Sequence, residues 1–282
     1  MGMVSNLQKD IIERIEKIPT EIFEKRISNF RSLNFDNLSV NEIKSEISKI
    51  FPFDKAILFQ QQNRKIEQGK LYRIIFLGND FEYENINNDS FFWEPPIEKC
   101  KMGRLNDEGE QVLYTSESIS TALRENKTNC KGGNKFILII YNIKNSFEFT
   151  TVGLYPDYED NLPHKNNNLM IKFEANIMSQ KANEKNKNRI YKMTQAISQI
   201  IGLFPCFPIA YPSVQGKGHN ICFAKDDAHK FLEVDGVWIC EYKSNVNNFE
   251  IKGIYRIIDN VPKYFLCGTA EQQEYYPEIK KM

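Results

Sequence analysis

Residues 112–125 read VLYTSESISTALRE, and this stretch decides the fold class. Its first part, Val112–Tyr114, has the apolar character of a buried strand. Its second part, Ile119–Glu125, repeats apolar residues at the spacing of one helix face. A strand is therefore predicted to lead into a helix, which indicates a chain that mixes both kinds of element. Three hydroxyl residues could cap this helix: Thr115, Ser116 and, as a second candidate, Ser118.

Similar patterns recur along the rest of the chain. The first fifty residues carry apolar side chains at helical spacing, which predicts three short helices, the second with a stripe of Ile22, Phe23, Ile27 and Phe30. Ser39 with Glu42 forms a capping box at the third helix. A further helix is predicted over Ile190–Ile201, ending at Gly202, and a mobile loop over the proline- and asparagine-rich stretch Tyr155–Leu169. Strands are predicted over Leu71–Leu77, Val112–Thr115, Phe136–Tyr141, Ile221–Ala224, Val237–Tyr242 and Phe249–Ile258.

Composition indicates a globular protein and argues against several functional classes. The 282 residues include 20 Phe and 13 Tyr, enough to bury a substantial core. Lys plus Arg equals Asp plus Glu, at 37 each, so no global field draws the chain to nucleic acid or to an anionic membrane. No apolar run approaches the ~18 residues needed to span a bilayer, and no signal-peptide core is present, so we expect a cytoplasmic protein.

The cysteines and histidines give no sign of a metal site. The six cysteines are widely spaced and include no Cys-x-x-Cys pair, which predicts reduced, mostly buried thiols. His164, His219 and His229 do not have the spacing of metal ligands either. No metal is expected.

Arg73 stands inside the apolar run Leu71–Leu77, where an unpaired guanidinium would be costly to bury. One interpretation is a structural ion pair, or an edge-strand arginine that faces water. The other is a clamp on a phosphate or carboxylate, which suits the planar fork of arginine. The residue alone leaves both open.

A dense group of polar residues lies between Gly103 and Glu125. Residues 103–109 have the composition of a turn and include Arg104 and Asn106. Glu125 falls in the last turns of the predicted helix, where a carboxylate opposes the negative end of the helix dipole. It is either a solvated residue or one that is kept there for function.

The last motif is Tyr211-Pro212-Ser213, followed by His219, Asn220 and an apolar strand. Ser213 has no Gly-x-Ser-x-Gly elbow and no neighbouring His or Asp, so a nucleophilic role is poorly supported. A positioning hydrogen bond and a serine that satisfies the turn backbone both fit. For His219, local hydrogen bonds in a loop are favoured over catalysis.

Together these motifs resemble the RES family, named for its arginine, glutamate and serine. In RES proteins a Gly-Arg-aromatic-Asn turn, a Leu-Tyr-x-Ser strand end, an Ala-x-x-Glu helix and a Tyr-Pro-Ser turn follow one another. Leu105 departs from that pattern, because an aromatic residue is commoner there. The resemblance covers roughly Lys70–Lys225 and rests on Arg73, Gly103, Arg104, Asn106, Leu113, Tyr114, Ser116, Ala122, Glu125, Tyr211, Pro212 and Ser213.

The resemblance implies a fold, a substrate and a set of roles. RES proteins degrade NAD and have an α+β fold similar to that of ADP-ribosyltransferases, with two small twisted sheets meeting at a cleft for NAD. A helical N-terminal segment, residues 1–62, would precede a catalytic domain, residues 63–282. Glu125 would oppose the positive charge on ribose, Arg73 and Arg104 would hold the pyrophosphate, Tyr72 or Tyr114 would pack against nicotinamide or its ribose, Ser213 would orient the ribose, and Asn106 and Asn220 would add contacts to NAD.

Several alternatives stay open at this point. Water, inorganic phosphate or a protein side chain could accept the ribosyl group, so NAD hydrolysis, phosphorolysis and ADP-ribosylation of a protein all fit. A non-catalytic NAD-binding module is the alternative from another class, and a metal-dependent nuclease is disfavoured by the lack of clustered ligands. The family implies a toxin neutralised by a separate antitoxin protein, and a homo-oligomer is a further partner to consider. The N-terminal helices are expected to govern assembly, cleft access or partner binding.

Overall fold

The chain forms two compact units that alternate along the sequence. In this computed structural model, residues 13–50, 63–77, 89–126, 132–154, 165–201, 208–215, 218–245, 248–258 and 261–275 are described. The first unit comprises residues 1–64, 100–110 and 149–214, and the second comprises residues 65–99, 111–148 and 215–282. One change of unit falls near the predicted boundary at 62/63, but the first unit also contains two later segments. The predicted division into two domains stays a prediction.

Helices and strands mix throughout the described residues, which confirms the α+β class and the helical N-terminal segment. In chain order the elements are α1 (Thr20–Arg31), α2 (Val40–Ile50), β1 (Asn63–Ile66), β2 (Lys70–Phe76), β3 (Val112–Ser116), α3 (Ile119–Glu125), β4 (Lys135–Ile143), β5 (Phe147–Thr151), α4 (Lys165–Met178), α5 (Lys187–Ile201), β6 (Ile209–Pro212), β7 (His219–Ala224), α6 (Lys225–Phe231), β8 (Leu232–Asn245), β9 (Asn248–Ile258), β10 (Val261–Leu266) and α7 (Ala270–Tyr275).

The first unit is built from helices and a short parallel strand pair. Helices α1 and α2 pack against α4 and α5, and β5 pairs in parallel with β6. Helix α1 buries Phe23, Ile27 and Phe30, whereas Ile22, which was assigned to the same stripe, is 41% exposed. The stripe prediction was therefore wrong at Ile22, because that residue lies beside the buried face of the helix and not on it.

The capping box predicted for the third N-terminal helix is confirmed at α2. The Ser39 backbone N–H donates to Glu42 Oε2 at 2.8 Å, and the Glu42 backbone N–H donates to Ser39 Oγ at 3.3 Å. The Ser39 hydroxyl also donates to Glu42 Oε2 at 2.8 Å, and the two donations from the Ser39 backbone and hydroxyl lower the pKa of the Glu42 carboxyl below its usual value. The two residues thus satisfy each other's free N–H groups at the helix start.

Helix α4 begins at Lys165, inside the stretch that was expected to be a loop. The loop prediction is wrong for residues 165–169, and residues 155–164 lie outside the described part. The asparagines hid the signal: Met170, Phe173 and Ile177 follow at helical spacing and are buried. Asn166 itself is buried and donates to the carbonyl oxygens of Ile15 at 2.9 Å and Ile18 at 2.7 Å.

The second unit contains a large antiparallel sheet, in the order β7, β3, β2, β4, β8, β9 and β10. Every predicted strand is confirmed to within a few residues, although β8 extends further in both directions than Val237–Tyr242. The sheet is larger than the small sheets that the family resemblance implied. The sequence shows which segments are extended, but it does not show how many of them pair. One face of the sheet carries an apolar cluster of Leu123, Phe136, Leu138, Ile140, Cys240 and Tyr242.

Two further expectations concern thiols and membranes. Cys100, Cys222, Cys240 and Cys267 are free, and all but Cys267 are buried, while Cys130 and Cys206 lie outside the described residues. Burial raises the pKa of the Cys240 thiol well above its usual value. In the described parts of the chain, no helix has both the length and the apolar character needed to cross a bilayer.

Candidate functional site

Three neighbouring strands of the second unit bring polar side chains into one row. Tyr72 on β2 lies directly opposite Ser116 on β3, and Ser116 lies directly opposite Asn220 on β7. Residues directly opposite each other in antiparallel strands share a face of the sheet. The side chains of Tyr72, Ser116 and Asn220 therefore lie on the same face.

Helix α3 places a carboxylate over this row. The helix begins at Ser118, whose Oγ accepts from the Thr121 backbone N–H at 3.1 Å, so the second cap candidate is confirmed in place of Thr115 and Ser116. Leu123 anchors the helix in the apolar cluster on the same face of the sheet. Glu125 is the last residue of the helix and is half-buried.

Two hydrogen bonds connect this carboxylate to the sheet. Ser116 Oγ donates to Asn220 Oδ1 at 2.7 Å, and Asn220 Nδ2 donates to Glu125 Oε1 at 2.9 Å. Ser116 and Asn220 are both buried. Because the Ser116 hydroxyl donates to the amide oxygen of Asn220, the amide presents its N–H to Glu125, and a carboxylate oxygen of Glu125 accepts it. The three residues form a chain that fixes the orientation of one carboxylate.

Tyr114 belongs to the same face. It lies two residues before Ser116 on β3, opposite Cys222 on β7, and it is half-buried, as is Tyr72. Side chains two residues apart along a strand point to the same face. Both candidate aromatic residues thus share the sheet face from which Glu125 is held.

The turn that leads into β7 is tied to the start of α3. The His219 backbone N–H donates to Glu117 Oε1 at 3.0 Å, and the His219 ring nitrogen Nδ1 lies 2.8 Å from Glu117 Oε2. Gly218 has φ +116°, and a Cβ atom there would lie 2.4 Å from Thr121 Oγ1. His219 was expected to make local hydrogen bonds in a loop, but it lies at the start of β7 and its partner, Glu117, is 102 positions away in the chain, so that prediction is wrong. Gly218 lets the turn approach the helix closely.

Arg73 lies on the opposite face of the same sheet. It is adjacent to Tyr72 on β2 and opposite Ile139 on β4, so its side chain points away from the row that holds Glu125. Its Nη1 donates to the Trp93 carbonyl oxygen. The structure therefore does not bring Arg73 together with Glu125, and it gives the guanidinium a backbone acceptor.

A cluster of titratable groups surrounds Trp93 on that opposite face. Tyr141 donates its hydroxyl to the Phe92 carbonyl, and burial raises the pKa of Tyr141 to about 12, with Arg73 opposing the shift. The Trp93 and His229 rings stack with centroids 4.1 Å apart.

Near this cluster the buried carboxylate of Glu94 has a histidine and a lysine as neighbours. His229 Nε2 lies 3.3 Å from Glu94 Oε2, and Lys225 Nζ lies 3.8 Å from Glu94 Oε1. A buried carboxylate is stabilised by such neighbours. These contacts, together with those of Arg73, Tyr141 and Trp93, indicate that the side chains on this face pack against one another and have a structural role.

Arg104 and Asn106 belong to the first unit, where both support the backbone. Arg104 Nη1 donates to the Met178 carbonyl at 2.9 Å and its Nη2 donates to the Gln180 carbonyl at 3.0 Å, at the end of α4. Asn106 Nδ2 donates to the Asp107 carbonyl at 2.8 Å and to the Lys101 carbonyl at 3.0 Å. These contacts confirm the predicted turn, while the roles of Arg104 and Asn106 toward NAD stay predictions.

Ser213 also lies in the first unit, directly after β6, and it is buried. The predicted site residues therefore fall in both units of the chain. Tyr72, Tyr114, Asn220 and Glu125 come together on one face of the second unit. Ser213, Arg104 and Asn106 are placed in the first unit, and their convergence with Glu125 stays a prediction.

Comparisons with known proteins give one structural match of low similarity. No protein-family model matches the sequence, and no curated protein is significantly similar to it. The crystal structure of the M. tuberculosis MbcT-MbcA toxin-antitoxin complex aligns with 61% of this chain and 85% of that chain, at 10% identity and a TM-score of 0.34. We therefore base the functional proposal on this chain's own residues.

Sequence reasoning missed the role of two residues at the site. The sequence pattern indicates only a motif member and helix-cap candidate at Ser116, yet this residue orients Asn220. Glu117 was not singled out, yet it holds His219. Both depend on the pairing of β3 with β7, more than a hundred residues later, which no local pattern reveals. Among the described residues, no group of three or more His, Cys, Asp or Glu side chains is placed to hold a metal ion.

Proposed function

We propose that this chain cleaves the bond between nicotinamide and ribose in NAD. The observation that carries the proposal is the carboxylate of Glu125, held through Asn220 by Ser116 beside two tyrosines on one face of the sheet. The sequence motifs that resemble the RES family include three of these residues, Ser116, Tyr114 and Glu125. The geometry and the family resemblance are separate observations, and both support a catalytic role for the Glu125 carboxylate.

The chemistry needs few catalytic groups. Nicotinamide in NAD is cationic, so when the glycosidic bond breaks its electron pair neutralises the ring nitrogen, and the base leaves without a proton. Positive charge then develops at the ribose carbon, as in other glycoside cleavages. A fixed carboxylate that faces this charge stabilises the transition state more than the ground state. Glu125 is suited to that role because its orientation is set before the substrate binds.

The remaining contacts to NAD are proposed partly from this geometry and partly from the family resemblance. Tyr72 or Tyr114 would pack against nicotinamide or its ribose, since both share the face of Glu125. Arg73 donates to the Trp93 carbonyl on the other face, so we assign it to the packing of the second unit and not to the pyrophosphate. Arg104, Asn106 and Ser213 are proposed as further NAD contacts on the family resemblance alone.

The biological role that we propose is that of a toxin. Uncontrolled loss of NAD would stop growth, and a separate antitoxin protein would be needed to hold such an activity in check. Expression in a host cell should lower cellular NAD and arrest growth, and Glu125→Gln should remove both effects at equal protein level. Growth arrest with unchanged NAD would contradict the proposal.

The decisive experiment is incubation of the purified protein with NAD, with and without inorganic phosphate, followed by chromatography. Release of nicotinamide that needs no phosphate indicates hydrolysis, and release that requires phosphate indicates phosphorolysis. Transfer of ADP-ribose to a protein would instead label a polypeptide. Binding of NAD without any released nicotinamide would favour the non-catalytic module and overturn the proposed reaction.

A further inference from the structure

The first unit has a pocket whose lining residues are all different from those assigned to NAD above, although one of them, Gln180, accepts a hydrogen bond from Arg104. Its floor is formed by apolar side chains of α1, α4, α5 and the short turn after α1. Its volume is about 130 Å³, similar to that of a protein cavity that accepts a single benzene ring. The floor residues are Phe30, Phe35, Phe173, Ile177 and Met193.

The floor is aromatic as well as apolar. The Phe30 ring lies 4.9 Å from the Phe35 ring and 5.3 Å from the Phe173 ring, the latter edge to face. All three rings are buried, so their positions are fixed by the core of the unit. An aromatic ring that entered the pocket would meet preformed edges and faces, the arrangement that aromatic pairs prefer.

Two arginines line the same pocket. Arg31 is the last residue of α1, and Arg189 lies in the first turn of α5. Neither guanidinium has a hydrogen-bond or ion-pair partner among the residues that the structure describes. Two nearby lysines do have partners, since Lys187 pairs with Glu184 at 2.8 Å and Lys192 donates to the Leu38 carbonyl at 2.9 Å.

The position of Arg189 also favours an anion. The first turn of α5 contains no acidic residue, so the cation stands at the positive end of the helix dipole. For an exposed arginine this placement is only slightly unfavourable, and an anion bound beside it would offset that small cost. Arg31 adds a second cation at the same pocket, and two guanidinium groups can bind one carboxylate.

We propose that this pocket binds a small aromatic carboxylate, with its ring on the phenylalanine floor and its carboxylate between Arg31 and Arg189. Phosphate or acetate alone would leave the apolar floor empty, and an uncharged ring would leave the arginines unmatched. The pocket is too small for a nucleotide. The site is therefore separate from the proposed NAD chemistry, and its ligand is a distinct class of molecule.

Calorimetric titration of the full chain with 3-phenylpropionate tests the proposal. We expect binding at millimolar concentration or tighter, at least about tenfold stronger than for 3-phenylpropionamide, which lacks the charge, or propionate, which lacks the ring. Equal affinity for the amide, or no saturation by ~10 mM of the acid, would overturn it. Tighter binding of a short peptide ending in phenylalanine would indicate a protein C-terminus and overturn the assignment to a small molecule.

Variants locate the binding to this pocket. Arg31→Gln and Arg189→Gln should each weaken binding by about tenfold, and Lys25→Gln, on the exposed side of α1, should leave it unchanged. Asn176→Trp places a large ring at the exposed rim and should abolish binding without lowering the unfolding temperature. Unchanged affinity in both arginine variants would overturn the proposal. NAD turnover should be the same in all four variants, which separates this test from that of the proposed reaction.

Discussion

At the scale of single residues, the proposed chemistry depends on a carboxylate that hydrogen bonds hold in one orientation. Glu125 is held by a buried amide, whereas Glu148 on β5 in the same unit is exposed. Glu125→Gln should leave NAD binding largely intact and reduce turnover on the order of 100-fold or more, because the lost charge acts mainly in the transition state. Calorimetry and nicotinamide release measure the two effects. Glu148→Gln is the matched control, and undiminished turnover in Glu125→Gln would remove the assignment.

Ser116 is predicted to act through Asn220 as a positioning residue. Ser116→Ala leaves the buried Asn220 Oδ1 without its donor, which should lower the free energy of unfolding by about 1–3 kcal/mol. Loss of the fixed amide orientation should lower kcat about tenfold, the equivalent of one hydrogen bond, with KM nearly unchanged. Ser116→Thr retains the hydroxyl and should restore kcat. A stable Ser116→Ala protein with normal kcat would show that the hydroxyl is only structural.

Glu174 predicts a pH dependence of stability in the first unit. Its carboxyl is buried in α4, where it accepts from the Gly153 backbone N–H at 2.9 Å, and burial raises its pKa from 4.5 to about 8. The folded state therefore keeps a proton that the unfolded chain releases above pH 4.5, so the free energy of unfolding falls as the pH rises from about 4.5 to 8. Glu174→Gln should reduce this slope. Urea unfolding between pH 5 and 8 measures it, and parallel curves for the two proteins would contradict the assignment.

At the scale of elements, Arg104 is expected to matter first as the cap of α4. Arg104→Ala removes the two hydrogen bonds to the Met178 and Gln180 carbonyls and should lower the free energy of unfolding by about 2–3 kcal/mol. Arg104→Lys should recover only part of this loss, because an ammonium group cannot reproduce the fork. Chemical unfolding and NAD binding are measured on both variants. Full stability in Arg104→Ala, together with weakened NAD binding, would instead support the pyrophosphate role.

The elements that the sequence predicted well are those whose signals are local. The capping box of α2 depends on two residues three apart, and the strands β2 and β4 are largely apolar runs, interrupted in β2 by Arg73. Helix α4 was not predicted, and its first residues were assigned to a loop because Asn166 is typical of a turn, yet Asn166 is buried against carbonyls some 150 positions earlier in the chain. The row of Tyr72, Ser116 and Asn220 could not be predicted either, because it depends on how three strands distant in the sequence pair with one another. The sequence could not show that Arg73 and Glu125 lie on opposite faces of the sheet, because the faces are set by the pairing of the strands.

At the scale of the whole molecule, the N-terminal helices have a structural role in addition to the expected role in assembly or regulation. Helix α2 packs against α5 and α1 against α4, so the first unit shares one core between the start of the chain and its middle. Residues 13–50 therefore help to build the fold that holds Arg104 and Ser213. This structural role adds to the expected accessory one, which stays a prediction.

Two adjacent residues of α1 give a direct test of this shared core. Phe23 is fully buried, whereas Ile22 beside it is 41% exposed. Phe23→Ala should lower the free energy of unfolding by about 3–5 kcal/mol, because it leaves a cavity where α1 meets the core. Ile22→Ala should change it by less than about 1 kcal/mol, because little apolar area leaves the interior. Denaturant unfolding measures both changes, and equal, small effects would show that the N-terminal helices are only attached to the unit. A large loss confined to Phe23→Ala would mean that truncating the chain before α4 removes part of the core on which Arg104 and Ser213 depend.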